Sequence, residues 1–301
     1  MLGYQPMNRY SWLSHLFLIC GVITLLGSVP ACAQNTVSIS DFASHLTGVL
    51  DSVKCHDKKD CVILVADFVS AKGFTSPYGA HLADELSAEL ARQPTSILVA
   101  NRALLGSHLA VLREERVPAD IQGSSAVMRW LGKKLNASVV LVGEIGGYNS
   151  STVQVSAHFL SVENQKLKSP TVGAGLPLPA SLEELSASDP LPELPPLPDT
   201  VEGESIYQAG KQGVGLPKCH YMPNPPYTDE ARKFQISGSL VMEAIVDTKG
   251  SVRNPRVVRG LPFGLNEFAA QTIMTWKCDP AKFEGRAVST YVPIEITFRL
   301  Y

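Results

Sequence analysis

Between residues 37 and 53 the apolar positions Ile39, Phe42, Leu46, Leu50 and Val53 recur at intervals of three and four, the period of an amphipathic helix. Packing on the domain that follows is the expected use of that stripe. The run "CVILVADFV" (61–69) is short, valine-rich and apolar, which predicts a strand buried on both faces. Pro77 opens a helix to about Gln93 with Leu82, Leu86 and Leu90 as its stripe, and "SILVANR" (96–102) predicts another strand. Helices are expected at 103–115 and 124–135, the second with Val127, Trp130, Leu131 and Leu135 on one face. "SVVLVGEIGGYN" (138–149) and "TVQVSAHFLSV" (152–162) flank Asn149-Ser150-Ser151, which reads as a hairpin turn. In the latter strand Val153, Val155, Ala157 and Phe159 alternate with Gln154, Ser156 and His158, so one of its faces is wet.

The pattern then breaks. Residues 169–200 hold eight prolines, five acidic residues and no basic one. Such a composition predicts an extended, self-repelling tether, on the order of 100 Å long if wholly polyproline II. Glycine-rich "GKQGVGLP" (210–217) adds a loose joint, so the last segment is expected to sample space away from its base.

Periodicity returns beyond residue 218. Thr228 suits a helix N-cap, with Asp229 and Glu230 in the first turn and Arg232 and Lys233 near the end, and Gly238 stops the turn. Leu240, Met242, Ala244 and Val246 point one way along a strand, and "DTKG" returns the chain into "SVRNPRVVRG" as a hairpin. Leu265, Phe268, Ala269, Thr272, Ile273 and Trp276 sit at helix spacing, with Asn266 as cap or first-turn residue. From Val288 to Leu300 apolar residues alternate with Ser289, Tyr291, Pro293, Glu295, Thr297 and Arg299, a long half-buried strand.

The chain is thus expected to be an α+β, multi-domain protein: an N-terminal leader (1–33), a helix and connector (34–59), an α/β domain (60–168), a Pro/Gly-rich linker (169–217) and a small αββαβ module (218–301). In the leader Arg9 precedes "LFLICGVITLLGSV" (16–29) and the triplet Ala31-Cys32-Ala33. A cleaved secretory signal, an uncleaved membrane anchor and a degenerate lipobox at Cys32 all fit, and each exports the remainder. A net charge of −2 provides no basic face for nucleic acid.

Cysteine usage agrees with export. With Cys20 and Cys32 in the leader, four cysteines remain, and sequence order favours Cys55 with Cys61 and Cys219 with Cys278. The alternative, zinc held by Cys55-His56 and Cys219-His220, lacks a compact C-x-x-C, and no metal or other cofactor is expected. No phosphate-loop, nucleophile-elbow or zinc-protease motif occurs, and the histidines are scattered singly, so nothing argues for an enzyme. The glycines of "GEIGG" (143–147) are read as turn or bulge residues, and Asp67 as a loop cap.

Two resemblances add to this reading. "VADF", "HLADELSAELARQ", "ILVANRALL", "LGKKLNASVVLVGEI" and "VQVSAHFLSVENQKL" resemble the envelope domain family shared by CsgG-like, FlgO-like and TolB N-terminal proteins, over about residues 60–168. That likeness implies protein assembly or ligand recognition without catalysis. "PPYTDEARK", "GSLVMEAIVDTKGSV", "PRVVRGLPFGLNEFAAQTIMTWKCDPAKFEGRAV" and "VPIEITFRL" resemble the TonB C-terminal domain family over residues 218–301. This second likeness implies a periplasmic module that transmits force from an inner-membrane proton-driven motor to outer-membrane receptors, which offer an extended peptide to a sheet edge.

By that pattern the accepting edge is the last strand, about Tyr291 to Arg299, with Pro293 tolerable only on an edge and Tyr291, Glu295, Thr297 and Arg299 facing outward. Leu240, Val246, Trp276, Ile294 and Phe298 are read as core. Ser11 and His15 resemble the family's motor-contacting pair, although they lead the apolar run instead of lying within it. Two functional classes follow: an anchored energy transducer for transport across the outer membrane, or a released or lipidated adaptor for envelope assembly and secretion.

Overall fold

The computed structural model describes residues 36–53, 55, 61–93, 97–187, 191–201 and 203–300. Ser11, His15 and the whole leader lie outside the described residues. Among the described residues no helix is long and apolar enough to cross a membrane.

The chain enters with α1 (Ile39–Thr47), whose first turn is held by Ser38 Oγ accepting from the Asp41 N–H, and a short 3-10 turn at Leu50–Val53. Next come β1 (Cys61–Val65), β2 (Val69–Ser70), α2 (Pro77–Arg92), β3 (Ile97–Val99), α3 (Ala103–Glu114), α4 (Ala119–Gln122), α5 (Ser125–Lys134), β4 (Val139–Tyr148), β5 (Thr152–Ser161) and β6 (Val172–Pro177). The sheet runs β3-β1-β4-β5-β6, with β2 beside β4. Strand β1 is parallel to both β3 and β4, whereas β4, β5 and β6 are antiparallel. One sheet face packs Ile63, Val65 and Phe159 with Phe42, Leu46, Leu82, Leu86 and Leu90 of α1 and α2. On the other, Leu64, Val140 and Leu160 meet Leu105, Leu112, Val127 and Leu131 of α3 and α5. This is why β1 reads as apolar on every position.

The strand expected over 61–69 ends at Val65, because Phe68 turns its N–H to the Gly79 carbonyl and buries its ring over Gly143. A side chain at Gly143 would collide with that ring. Gly146 and Gly147 fall at a register shift between Ile145 and Tyr148, so the glycine cluster does serve packing and a bulge. Asp67 does not cap its loop. Its carboxylate receives Arg102 Nη2 at 2.7 Å, while Arg102 also reaches Asp84 and the carbonyl of Val65.

The remaining elements are β7 (Thr200–Val201), β8 (Glu204–Gln208), β9 (Lys218–Tyr221), α6 (Asp229–Lys233), β10 (Gly238–Val246), β11 (Val252–Arg259), α7 (Leu265–Ile273), β12 (Lys277–Asp279), β13 (Ala281–Phe283) and β14 (Arg286–Phe298). The second sheet runs β11-β10-β14-β8-β7, with β13 also on β14, and β9 pairs β12 separately. Leu240, Val246, Ile294 and Phe298 are buried as expected. Trp276 is only half-buried and donates Nε1–H to the Pro223 carbonyl, and Phe268 is exposed.

Two expectations are corrected. Residues 169–217 are not devoid of regular structure: 172–177 form β6 with Ala174 and Leu176 buried, and β8 pairs with β14. Averaging over the whole segment hid the apolar run "TVGAGL", since the prolines cluster at 190–198. Nor does the terminal module stand away from its base. Leu105, Leu109 and Leu131 share one continuous core with Phe234, Leu261 and Phe263, and the Trp130 ring lies 4.9 Å from that of Phe263. Asn266, read as a cap or first-turn residue, lies in the first turn of α7 and is also a buried connector. It accepts from the Leu261 N–H and donates to the Glu115 carbonyl at 2.7 Å.

That seam contains a titratable group. Burial and the facing carboxylate of Glu267 push the Glu115 carboxyl up to about 7 from its ordinary value of 4.5. A carboxyl that holds its proton more tightly when folded adds stability below pH 4.5 and loses it as pH rises through 7. Thermal unfolding at pH 5 and pH 8 is therefore expected to show Glu115→Gln matching the native chain at the lower pH and exceeding it at the higher. Equal differences at both values would remove Glu115 from the pH response.

Candidate functional site

The last strand is built to be an edge along half of its length. Its alternation buries Ile294, Ile296 and Phe298 and leaves Pro293, Glu295, Thr297 and Arg299 exposed. On one side β10 pairs it from Thr290 to Phe298 with no register shift. On the other side parallel β8 covers Ser289 to Tyr291, while β13 pairs with β14 at Arg286 to Val288. Beyond Tyr291 no strand follows on that side among the described residues.

The orientation of the open edge follows from one hydrogen bond. Ala209 N–H donates to the Tyr291 carbonyl, so Tyr291 turns its backbone away from β10. Residues two, four and six further on turn the same way, which places the backbone groups of Pro293, Glu295 and Thr297 on the free side. Pro293 sits opposite Glu243 of β10, yet its missing N–H belongs to the open edge, and the β10–β14 ladder loses nothing. The proline also leaves an incoming strand one donor fewer there, which discourages indiscriminate pairing.

Of the five residues expected at the edge, the structure brings Pro293, Glu295, Thr297 and Arg299 together as an exposed row. Tyr291 is engaged within the chain: its carbonyl accepts from Ala209 and its phenol donates to the Pro198 carbonyl at 2.5 Å. Burial first, and then Asp199 and Glu243, raise that phenol's pKa, with Arg256 opposing. Thr297 is tied across the strands to Ser239, their hydroxyls 3.2 Å apart.

A hollow that sequence reasoning missed flanks the far end of the row. Asn224, Pro225 and Tyr227 line it against Thr297, Phe298 and Arg299. Tyr227 stands edge-on to Phe298, with 5.2 Å between ring centroids, and donates its hydroxyl to the Ile236 carbonyl. "PPY" at 225–227 was legible as a turn, but nothing in it announces a partner more than seventy residues later.

The cysteines pair as sequence order favours, Cys55 with Cys61 and Cys219 with Cys278, which removes their thiolates from the zinc alternative. The small apolar cavity between Ala66, Leu105, Leu109 and Met128 encloses about 30 Å³, room for one water.

Residues 223–300 match the family model for the Gram-negative bacterial TonB protein C-terminal. Among solved structures, the chain is similar to the TonB C-terminal domain of Pseudomonas aeruginosa, at 17% identity and a TM-score of 0.26 over 32% of this chain and 94% of that one. It is also similar to the LpoB C-terminal domain from Salmonella enterica, at 14% identity and a TM-score of 0.35 over 46% of this chain and 96% of that one. Lipoprotein GNA1162 from Neisseria meningitidis matches at 19% identity and a TM-score of 0.29, over 40% of this chain and 82% of that one. No curated protein sequence matches.

Proposed function

From the premise that residues 223–300 are a TonB C-terminal domain segment, we propose that the chain is a periplasmic docking protein of TonB type. It engages outer-membrane partners by β-augmentation and supports transport across the outer membrane. The observation that carries this reading is the open half of β14, where Pro293, Glu295 and Thr297 turn their backbone groups outward beneath an exposed row of side chains. Backbone hydrogen bonds to a partner strand supply affinity, and alternate side chains set register. We assign no catalytic step to the chain.

A photocrosslinker placed at Glu295 or Thr297 in the full chain, in cells, tests the reading. Adducts with outer-membrane proteins are expected from both edge positions and not from Lys249, in the exposed turn between β10 and β11. Glu295→Pro deletes one outward N–H and is expected to weaken capture about five-fold, whereas Glu295→Ala leaves it within about two-fold. Equal adducts from Lys249, or indifference to the proline, would overturn strand addition.

The shared core between the α/β domain and the terminal module favours a second reading, an envelope adaptor for assembly or secretion that draws no force from a motor. Intact mass and membrane fractionation of the native protein separate the two. Retention of residues 1–33 in the inner membrane supports transduction, and a soluble chain beginning at Gln34 supports the adaptor.

A further inference from the structure

We propose that the outer face of the second sheet is a polyproline II recognition site, and that the chain's own segment 191–199 is its ligand. The segment reads Leu-Pro-Glu, Leu-Pro-Pro, Leu-Pro-Asp, a triplet repeated three times. Polyproline II has three residues per turn and leaves its backbone carbonyls without internal partners, so such a repeat presents one ridge of leucines and one row of equivalent carbonyls. Both appear in the fold. Leu191, Leu194 and Leu197 are half-buried, while every proline between them is exposed.

The carbonyl row is read one turn at a time. Arg116 Nη1 donates to Pro192 at 2.8 Å, Arg256 Nη1 to Pro195 at 2.6 Å, and Tyr291 Oη to Pro198 at 2.5 Å. Residues 192, 195 and 198 are spaced by one polyproline turn, and their three donors come from the turn after α3, from β11 and from β14. Each arginine is oriented by a second contact. Glu243 accepts Nε and Nη2 of Arg256, and the Val258 carbonyl accepts Nε of Arg116. A donor fixed in this way loses little side-chain freedom when the ligand docks. The segment then leads directly into β7 and β8, and β8 closes the edge of β14 as far as Tyr291. The proline run therefore works as a docked strap that keeps the terminal module seated, instead of a spacer that lets it roam.

This inference stands whether or not β14 receives a partner strand. In the full chain, Leu191→Ser, Leu194→Ser and Leu197→Ser together remove the ridge and leave the donors in place. A labelled peptide of residues 191–200 is expected to bind this released chain at least about ten-fold more tightly than the native chain, whose tethered segment competes at high effective concentration. Adding Tyr291→Phe to the released chain is expected to weaken peptide binding about five-fold. Equal affinity for native and released chains would overturn the proposal. A second measurement needs no variant: the heteronuclear NOE of the Leu194 and Leu197 amides in the native chain. Values matching the folded core support docking, and values matching the free peptide overturn it.

Discussion

Replacing Cys219 and Cys278 with serine is expected to destabilise the terminal module by about 4 kcal/mol, the chain-entropy value for a loop of roughly sixty residues. The bridge spans a sequence separation of 59 and joins β9, ahead of α6, to β12, behind α7. Without it the β9–β12 ladder has only three paired positions, too few to hold on its own. The loss reaches further, because the Cys278 N–H donates to the Gly250 carbonyl and thereby seats the β10–β11 turn. Denaturant unfolding of the oxidised native chain and the double variant measures the difference. Reductant should abolish the difference between the two chains, since the Cys55–Cys61 bridge opens equally in both. A difference below about 1 kcal/mol would show that the two-stranded ladder forms unaided.

Gly260→Ala is expected to cost about 3 kcal/mol and to part the terminal module from its base. The Gly260 N–H donates to the Arg116 carbonyl at 2.7 Å, and a β-carbon at residue 260 would lie 2.1 Å from the Glu115 carbonyl oxygen. That oxygen belongs to backbone and already accepts from Asn266, so it cannot step aside without breaking the connector. Trp130 reports the result. Its ring packs on Phe263 and its Nε1–H donates to Glu230 at 2.8 Å, so separation should shift its emission to the red. Unfolding is expected to resolve into two transitions in the variant and one in the native chain. Gly147→Ala is the control, since a β-carbon there meets nothing within 4 Å. Unchanged Trp130 emission in Gly260→Ala would mean that the seam yields without opening.

These two positions differ in how far they were legible. The disulfide partners could be read from cysteine number and order, because one bridge within each module is the simplest arrangement of four cysteines. The strand β14 could be read as well. The alternation read from Val288 to Leu300 has no helical counterpart, and it assigns Ile294, Ile296 and Phe298 to the core and Glu295 and Thr297 to water without any knowledge of the neighbours. The amphipathic helices α1, α2, α5 and α7 were legible for the same reason.

The seam and the strap were not. Trp130 looked like one more residue on the stripe of α5, and its partners Glu230 and Phe263 lie a hundred and more positions along the chain. Gly260 and Asn266 carry no periodic signal, because their roles depend on the carbonyls of Glu115 and Arg116 arriving within hydrogen-bond distance. The leucine-proline triplets were in plain view, but a polyproline segment satisfies nothing internally, so composition alone reads it as solvated. The sequence alone revealed the periodic elements outside 169–217, the cysteine pairs and the outward row of the last strand, since each rests on spacing or order along the chain. It took the packed molecule to show that β8 closes that strand's edge from Ser289 to Tyr291, that the proline run is docked and that the terminal module sits on its base. Those outcomes depend on donors and acceptors far apart in the chain, and no periodicity encodes their meeting.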